Sequence, residues 1–424
     1  MSFTGRSLLS TARTLGRAQG ASLCKVRTLL SAVDAILSRH GATFYHCSKL
    51  ANDLLHQLAG PRHLSTQTPH ATKQPRAEKK PKPIILSGIQ PTGQPHLGNY
   101  LGAISNWVAL QEQAHLDNET LLFMVVDLHA ITLPQNPDQL RKERRELAIT
   151  LLACGIDPKK CILFEQSKVP AHAELAWILN CMTPVGWLAR MTQWKSKLGV
   201  TKGVSSLEDV SATAGLQLGL FAYPVLMAAD VLLYKATKVP VGEDQIQHLE
   251  LTRDIAQLFN KNAKKQFFPL PQPLITQTKR VMSLKDPSKK MSKSDKLERT
   301  RINLIDSPEA ISAKIKGAVT DGIRGISYDR VERPAVANLV DIYAAMKRVS
   351  VEDVVNEHAT SSNAVFKEAL TDVLVTSLRP IQEEIVRLER EDAYIKSVLD
   401  QGAAKASDIA RPNLQEIHRL MGLN

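Results

Sequence analysis

Ile84-Ile85-Leu86-Ser87-Gly88-Ile89-Gln90-Pro91-Thr92-Gly93-Gln94-Pro95-His96-Leu97-Gly98-Asn99 decides the fold. Ile84 to Leu86 reads as a buried strand and the glycine- and proline-bearing stretch from Ser87 as a turn, while Leu97, Leu101, Ile104 and Val108 recur on one helix face. Further on, the apolar run Leu121-Leu122-Phe123-Met124-Val125-Val126 forms a second buried strand ending at Asp127 and His129, and Gln139 to Leu152 reads as a helix. Strands alternating with helices predict an α/β fold, a Rossmann-like parallel sheet that binds ligands at the carboxyl ends of its strands.

Strand signals fade beyond about Arg301. Asp306-Ser307-Pro308-Glu309 opens a helix with a capping residue, an early proline and a first-turn carboxylate, and Ile311, Ile315 and Val319 are expected to continue its buried face. Stripes at Ile381, Ile385 and Leu388, and at Leu414, Ile417 and Leu420, extend the helical pattern to the end. The expected organisation is a leader and linker over 1–80, a nucleotide-binding catalytic domain over 81–300 that includes a connective, dimer-forming insertion, and an all-helical domain over 301–424.

The formal charge of +12 is uneven. Residues 1–80 hold 12 Lys or Arg against Asp34, Asp53 and Glu78, which is +9, so 81–424 carry 12 − 9 = +3. Nucleic-acid binding must therefore rest on a local surface rather than on overall charge. Arg6, Arg13, Arg17, Lys25 and Arg27 among Ser, Thr and Ala, with no acidic residue before Asp34, have the composition of an organellar transit peptide, which a disordered basic arm would share. Residues 61–83 read as a linker, and the folded enzyme is expected to begin near Pro83. No apolar run is long enough to span a bilayer, so no membrane partner is expected. The five cysteines contain no CxxC pair, which predicts reduced thiols and no structural metal.

Two motifs point to phosphate. His96-Leu97-Gly98-Asn99 falls where a helix N-terminus meets the sheet; backbone N–H groups and the helix dipole favour an anion there, Gly98 permits close approach, and His96 and Asn99 offer donors. The same four residues also suit ordinary helix caps. The string Lys290-Met291-Ser292-Lys293-Ser294 is rarer, and its ammonium groups can neutralise charge developing on a departing pyrophosphate. A third segment, Tyr223-Pro224-Val225-Leu226-Met227-Ala228-Ala229-Asp230, places Tyr223, Met227 and Asp230 on one helix face, with Pro224 expected in the first turn. An aromatic, a thioether and a carboxylate suit a flat apolar ring carrying one N–H donor, although Tyr and Met packed into a core beside a paired Asp fit the same pattern.

Together the turn and the lysine string resemble the class I aminoacyl-tRNA synthetases, with their HIGH-type turn and KMSKS loop. Within that class, Ser87 to Gly93, Val126-Asp127-Leu128-His129-Ala130-Ile131-Thr132, Met191-Thr192-Gln193-Trp194-Lys195, the Tyr223–Asp230 segment, Val239-Pro240-Val241-Gly242-Glu243-Asp244-Gln245 and the closing Met421-Gly422-Leu423 resemble the bacterial-type and mitochondrial tryptophanyl-tRNA synthetases. The likeness runs from about Ile84 to Leu423. It implies attack of the L-tryptophan carboxylate on the α-phosphate of ATP, with Mg2+ accompanying the nucleotide. Pyrophosphate leaves, and the tryptophanyl group passes to the 3′ end of tRNA(Trp) in the mitochondrial matrix; a homodimer is implied as well.

By resemblance, Gln90, Pro91, Thr92, His96, Gly98, Asn99, Gly242, Glu243, Asp244, the backbone at Val281, and Lys290, Met291, Ser292, Lys293 and Ser294 contact ATP; Gly98, Asn99, Lys290 and Lys293 carry the chemistry. Asp230 accepts the indole N–H, with Met227, Tyr223, His129 and Gln245 about the amino acid, and Lys195 adds charge. Asn99 replaces the second histidine of the class turn, which argues against an essential proton transfer there. The stretch 196–216 is longer than its counterpart in many bacterial-type members. A tyrosine-activating enzyme, a catalytically silent RNA-binding relative and a small-molecule nucleotidyltransferase share parts of this pattern. The Tyr223–Asp230 segment, the intact lysine string and the helical C-terminal third, respectively, weigh against them.

Overall fold

The computed structural model describes residues 82–191, 216–242, 245–275, 280–293, 295 and 297–424. The basic leader, Lys195, most of 196–216, Glu243, Asp244 and Ser294 lie outside these residues. Five strands, β1 (Ile84–Ile89), β2 (Thr120–Val125), β3 (Ile162–Glu165), β4 (Lys238–Val241) and β5 (Gln272–Ile275), form one sheet in the order β3-β2-β1-β4-β5. Every pairing is parallel, with Ile84 opposite Thr120 and Ile89 opposite Val125 between the first two strands. The predicted α/β class is what the chain adopts.

Both faces of the sheet are covered, which is why its strands read as unbroken apolar runs. Ile85, Leu121, Phe123 and Val125 belong to one core cluster, and Leu86, Leu122, Met124 and Val126 to another, as the two-residue period of a strand requires. Helices Ser105–Leu116, Pro137–Ala153, Pro334–Lys347 and Asn363–Leu388 supply the first cluster; Ala171–Asn180, Leu218–Leu233 and Ile246–Asn262 supply the second.

The closing helix, Asp392–Met421, serves both. It gives Ile395, Val398 and Leu399 to the first cluster, and Ala403, Ala406, Ala410, Leu414 and Ile417 to the second. It therefore passes the outer strand β3 between Leu399 and Ala403. Gly402 sits at that crossing, where a Cβ would lie 1.8 Å from the Leu163 carbonyl oxygen. Residues 79–424 form a single compact unit, so the helical C-terminal third shares its cores with the sheet. No described helix is long and apolar enough to cross a membrane.

Three local expectations are corrected. The helix after β1 contains a π turn, Tyr100–Ile104, between Leu97–Asn99 and Ser105–Leu116. Its extra residue shifts the register, so Trp107, stacked on Phe123 at 4.4 Å, is buried where Val108 was expected. Pro224 stands inside helix Leu218–Leu233 rather than in its first turn. Burial of Leu220 and Tyr223 carries the helix back to Leu218 despite the interior-proline cost of about 3 kcal/mol. Helix Pro308–Lys316 stops before Val319, whose N–H bonds the Leu284 carbonyl and whose side chain is exposed, so only Ile311 and Ile315 of that stripe are buried.

Candidate active site

In the order β3-β2-β1-β4-β5 the chain reverses direction of winding between β1 and β4, which opens a crevice beyond their carboxyl ends. Gln90 to Gly93 leave β1 on one side of it, and Gly242 leaves β4 on the other.

His96 caps the helix that follows β1. Its Nδ1 accepts from the Gly98 N–H at 3.0 Å, while the Asn99 Oδ1 accepts from the His96 N–H at 3.1 Å. A ring nitrogen that accepts from a backbone N–H carries no proton, so the neutral His96 imidazole holds its hydrogen on Nε2. Burial, reinforced by the fields of Lys293, Arg301 and Lys290, pushes its pKa down to about 4 and keeps the ring uncharged. Gly98 is required by this cap, since a Cβ would come within 2.9 Å of the His96 ring.

The cap also revises the source of anion binding at this turn. Leu97 N–H donates to the Ile302 carbonyl at 2.8 Å, Gly98 N–H to the His96 ring, and Asn99 N–H to the His96 carbonyl at 2.8 Å. These first helical N–H groups are already paired within the protein. What the turn can present to a phosphate is the His96 Nε2–H inside a positive field.

The lysine string is fixed to the same turn. Lys293 Nζ donates to the Thr92 carbonyl at 2.6 Å and to the Gly93 carbonyl at 3.2 Å. Gly93 has φ of +64°, the left-handed conformation that glycine adopts without strain, and it helps aim the two carbonyls at one ammonium. Burial lowers the Lys293 pKa to about 8, with Glu143 opposing the shift. Met291 is buried in the core, its N–H bonds the Val281 carbonyl at 3.0 Å, and Lys290 pairs with Met282 in a short antiparallel bridge, which leaves the Lys290 side chain exposed. Asn338, from helix Pro334–Lys347, accepts from the Met282 N–H at 2.9 Å and donates to its carbonyl at 3.1 Å. A helix of the C-terminal third thus holds the backbone that carries the string. Sequence reading missed Asn338, which bonds 56 residues away and leaves no local periodic trace.

A second cluster surrounds Asp230, which is 3% exposed. Its Oδ1 accepts from Gln166 Nε2 and His172 Nδ1, each at 2.7 Å, and its Oδ2 pairs with His129 Nε2 at 2.9 Å. Burial pushes this carboxyl up, but the hydrogen bonds from His129 and His172 and the fields of both rings outweigh it and hold the group below the usual carboxylate range. The His172 ring is set in turn by the Tyr234 hydroxyl at 2.8 Å, and the Gln166 amide by the Leu128 N–H at 3.2 Å. Tyr223 lies edge-on to His129 at 6.2 Å and pairs through its hydroxyl with His248 at 2.7 Å. Met227 is half-buried one helical turn before Asp230, and Gln245 immediately precedes helix Ile246–Asn262.

Of the predicted amino-acid residues, then, His129, Tyr223 and Asp230 meet in one buried cluster. Gln166, His172, His248 and Tyr234 are additional members. Gln166 was findable in principle, because it follows the carboxyl end of β3, where ligand-facing residues of a parallel sheet concentrate.

Residues 78–379 match the family model described as tRNA synthetases class I (W and Y). The chain is 45% identical over 342 residues to the tryptophan–tRNA ligase of Rickettsia typhi, covering 80% of this chain and 99% of that protein. It is 46% identical over 343 residues to the mitochondrial tryptophan–tRNA ligase of Saccharomyces cerevisiae, covering 80% and 90%. Among solved structures, the tryptophanyl-tRNA synthetase of Mycoplasma pneumoniae superposes with a TM-score of 0.69 at 36% identity, over 81% of this chain and 98% of that one. The Campylobacter jejuni synthetase complexed with ADP and tryptophan does so with a TM-score of 0.66 at 31% identity, over 80% and 99%.

Proposed function

This chain belongs to the class I tRNA synthetases of the tryptophan and tyrosine group, and from that premise we propose that it is a tryptophan–tRNA ligase acting in mitochondria. One observation carries the choice of substrate: a buried, ionised Asp230 whose Oδ1 is occupied by two donors and whose Oδ2 accepts, among the described residues, from His129 alone. A carboxylate oxygen has room for a further donor, and an indole N–H beside the rings of Tyr223 and His129 supplies one. The names of the relatives at 45% and 46% identity support the same substrate.

In this reading L-tryptophan lies beside Asp230, Met227, Tyr223, His129 and Gln245. ATP lies across the crevice between the β1 turn and the 281–293 segment. The tryptophan carboxylate attacks the α-phosphate, the bond to the β-phosphate breaks, and pyrophosphate leaves with the negative charge. His96 Nε2–H, Lys290, Lys293 and Arg301 stabilise that charge without proton transfer, in keeping with a ring whose pKa lies near 4. Asn99 serves by orienting the His96 backbone rather than as an acid or base. Lys293 leaves the Thr92 and Gly93 carbonyls for the phosphates, which return a full counter-charge to a half-buried ammonium.

The described residues contain no group of three His, Cys, Asp or Glu that could hold a metal, and Mg2+ would arrive on the nucleotide. The second reaction transfers the tryptophanyl group to the 3′ end of tRNA(Trp), with the helices of 301–424 reading the anticodon. The leader composition and the yeast mitochondrial relative support an organellar location. A homodimer contact would cover exposed apolar side chains such as Trp177, Val185 and Leu218. ATP–pyrophosphate exchange with tryptophan and tyrosine tests the reading. Exchange restricted to tryptophan supports it, and preference for tyrosine overturns it.

A further inference from the structure

Two of the three side chains that orient Asp230, His129 and Gln166, follow the carboxyl ends of different strands. His129 belongs to the short helix Asp127–Ala130 at the end of β2, and Gln166 follows the end of β3. Directly beside them lies a second polar cluster that touches neither Asp230 nor the crevice in any described contact. Arg144, on helix Pro137–Ala153, reaches Glu165 with Nε at 3.0 Å and with its terminal nitrogen at 2.7 Å, and reaches Asp127 Oδ2 at 3.0 Å. Ser167 donates to Asp127 through its N–H at 2.9 Å and its hydroxyl at 2.5 Å. One guanidinium thus joins the last residue of β3 to Asp127, the first residue of the short helix that follows β2.

We propose that Arg144 is a positioning residue for tryptophan recognition: by clamping the carboxyl ends of β2 and β3 together it holds His129 and Gln166 where they orient the Asp230 carboxylate. The inference rests on the assignment of Asp230 to the indole N–H. Its geometry is local. Asp127 is two residues from His129 and one from Leu128, whose N–H fixes the Gln166 amide; Glu165 and Ser167 flank Gln166 itself. Asp127 and Glu165 are 3% and 8% exposed, so two nearly buried carboxylates depend on one forked cation. Lysine would keep the charge but, as a point charge, could not hold both carboxylates in that fork. The strand ends would then be free to shift, and small displacements of an orienting group cost heavily in binding.

Arg144→Lys and Ser167→Ala in the full chain, assayed by ATP–pyrophosphate exchange, separate this role from general support of the fold. The expected KM for tryptophan rises about 10-fold in the first and about 3-fold in the second, while the KM for ATP changes less than about twofold. Preference for tryptophan over its benzothiophene analogue, which lacks the N–H, falls about 10-fold in Arg144→Lys. Unchanged tryptophan KM in both variants, or equal rises for tryptophan and ATP with the preference intact, would overturn the clamp. If the unmodified chain activates tyrosine instead, the assignment of Asp230 fails and the inference falls with it.

Discussion

Replacing Asp230 with asparagine keeps the shape of the side chain and changes one oxygen into an NH2. The amide oxygen can take the place of Oδ1, preserving the bonds from Gln166 and His172, both at 2.7 Å. The NH2 then occupies the position of Oδ2, facing His129, which can accommodate it by moving its ring proton. The indole N–H cannot adapt, and it meets a donor where it had a charged acceptor. Loss of a charge-assisted hydrogen bond costs about 1.5–3 kcal/mol, and a buried donor left unpaired about 1–3 kcal/mol more. The sum, about 2.5–6 kcal/mol, corresponds to a fall of about two to four decades in kcat/KM for tryptophan. The benzothiophene analogue has no N–H to lose, so its kcat/KM should change less than about threefold. ATP–pyrophosphate exchange with both substrates, on protein shown by circular dichroism to be folded, measures the difference. Parallel losses for the two would show that Asp230 supports the pocket without reading the N–H, and an unaffected tryptophan value would remove it from recognition altogether.

Two further outcomes follow from the geometry. On the proposed role of Lys293, productive ATP binding needs its ammonium form; its pKa lies near 8, below the ordinary value of 10.5, so kcat/KM for ATP should decline as pH rises through about 8. Lys293→Arg should flatten that alkaline limb, because guanidinium stays charged; a limb identical in both proteins would assign it to another group. Gly402→Ala sets two effects against each other: helix propensity gains about 1 kcal/mol, but the new Cβ would lie 1.8 Å from the Leu163 carbonyl oxygen, a backbone atom that cannot rotate away. Overpacking at about 1–3 kcal/mol or more wins, and thermal unfolding should show a lower midpoint; an unchanged or raised one would contradict the close passage of the last helix over β3.

Much of the fold was legible because its strands are buried on both faces and its helices begin with recognisable caps. Ile84 to Leu86 and Leu121 to Val126 carry the sheet signal, and Ser307 caps its helix as its position before Pro308 suggests. The π turn at Tyr100–Ile104 was not legible, since nothing in Tyr-Leu-Gly-Ala-Ile distinguishes one inserted residue from an ordinary turn. In the buried cluster, Tyr223 and Asp230 share one helix as their spacing predicts, whereas resemblance alone named His129. Their partners left no such signal. Gln166, His172 and Arg144 act across separations of 64, 58 and 21 residues, which only the assembled sheet brings to hydrogen-bond distance. The histidine of the turn was read as a phosphate donor and a possible cap; it is a cap, and capping is what fixes the proton that it would donate.

The most direct test of the account is ATP–pyrophosphate exchange catalysed by the purified chain across the amino acids. It predicts exchange with tryptophan that exceeds tyrosine by at least about 10³ in kcat/KM, as a buried acceptor matched to one N–H should produce. Exchange that favours tyrosine, or that fails with tryptophan while ATP still binds, would contradict it.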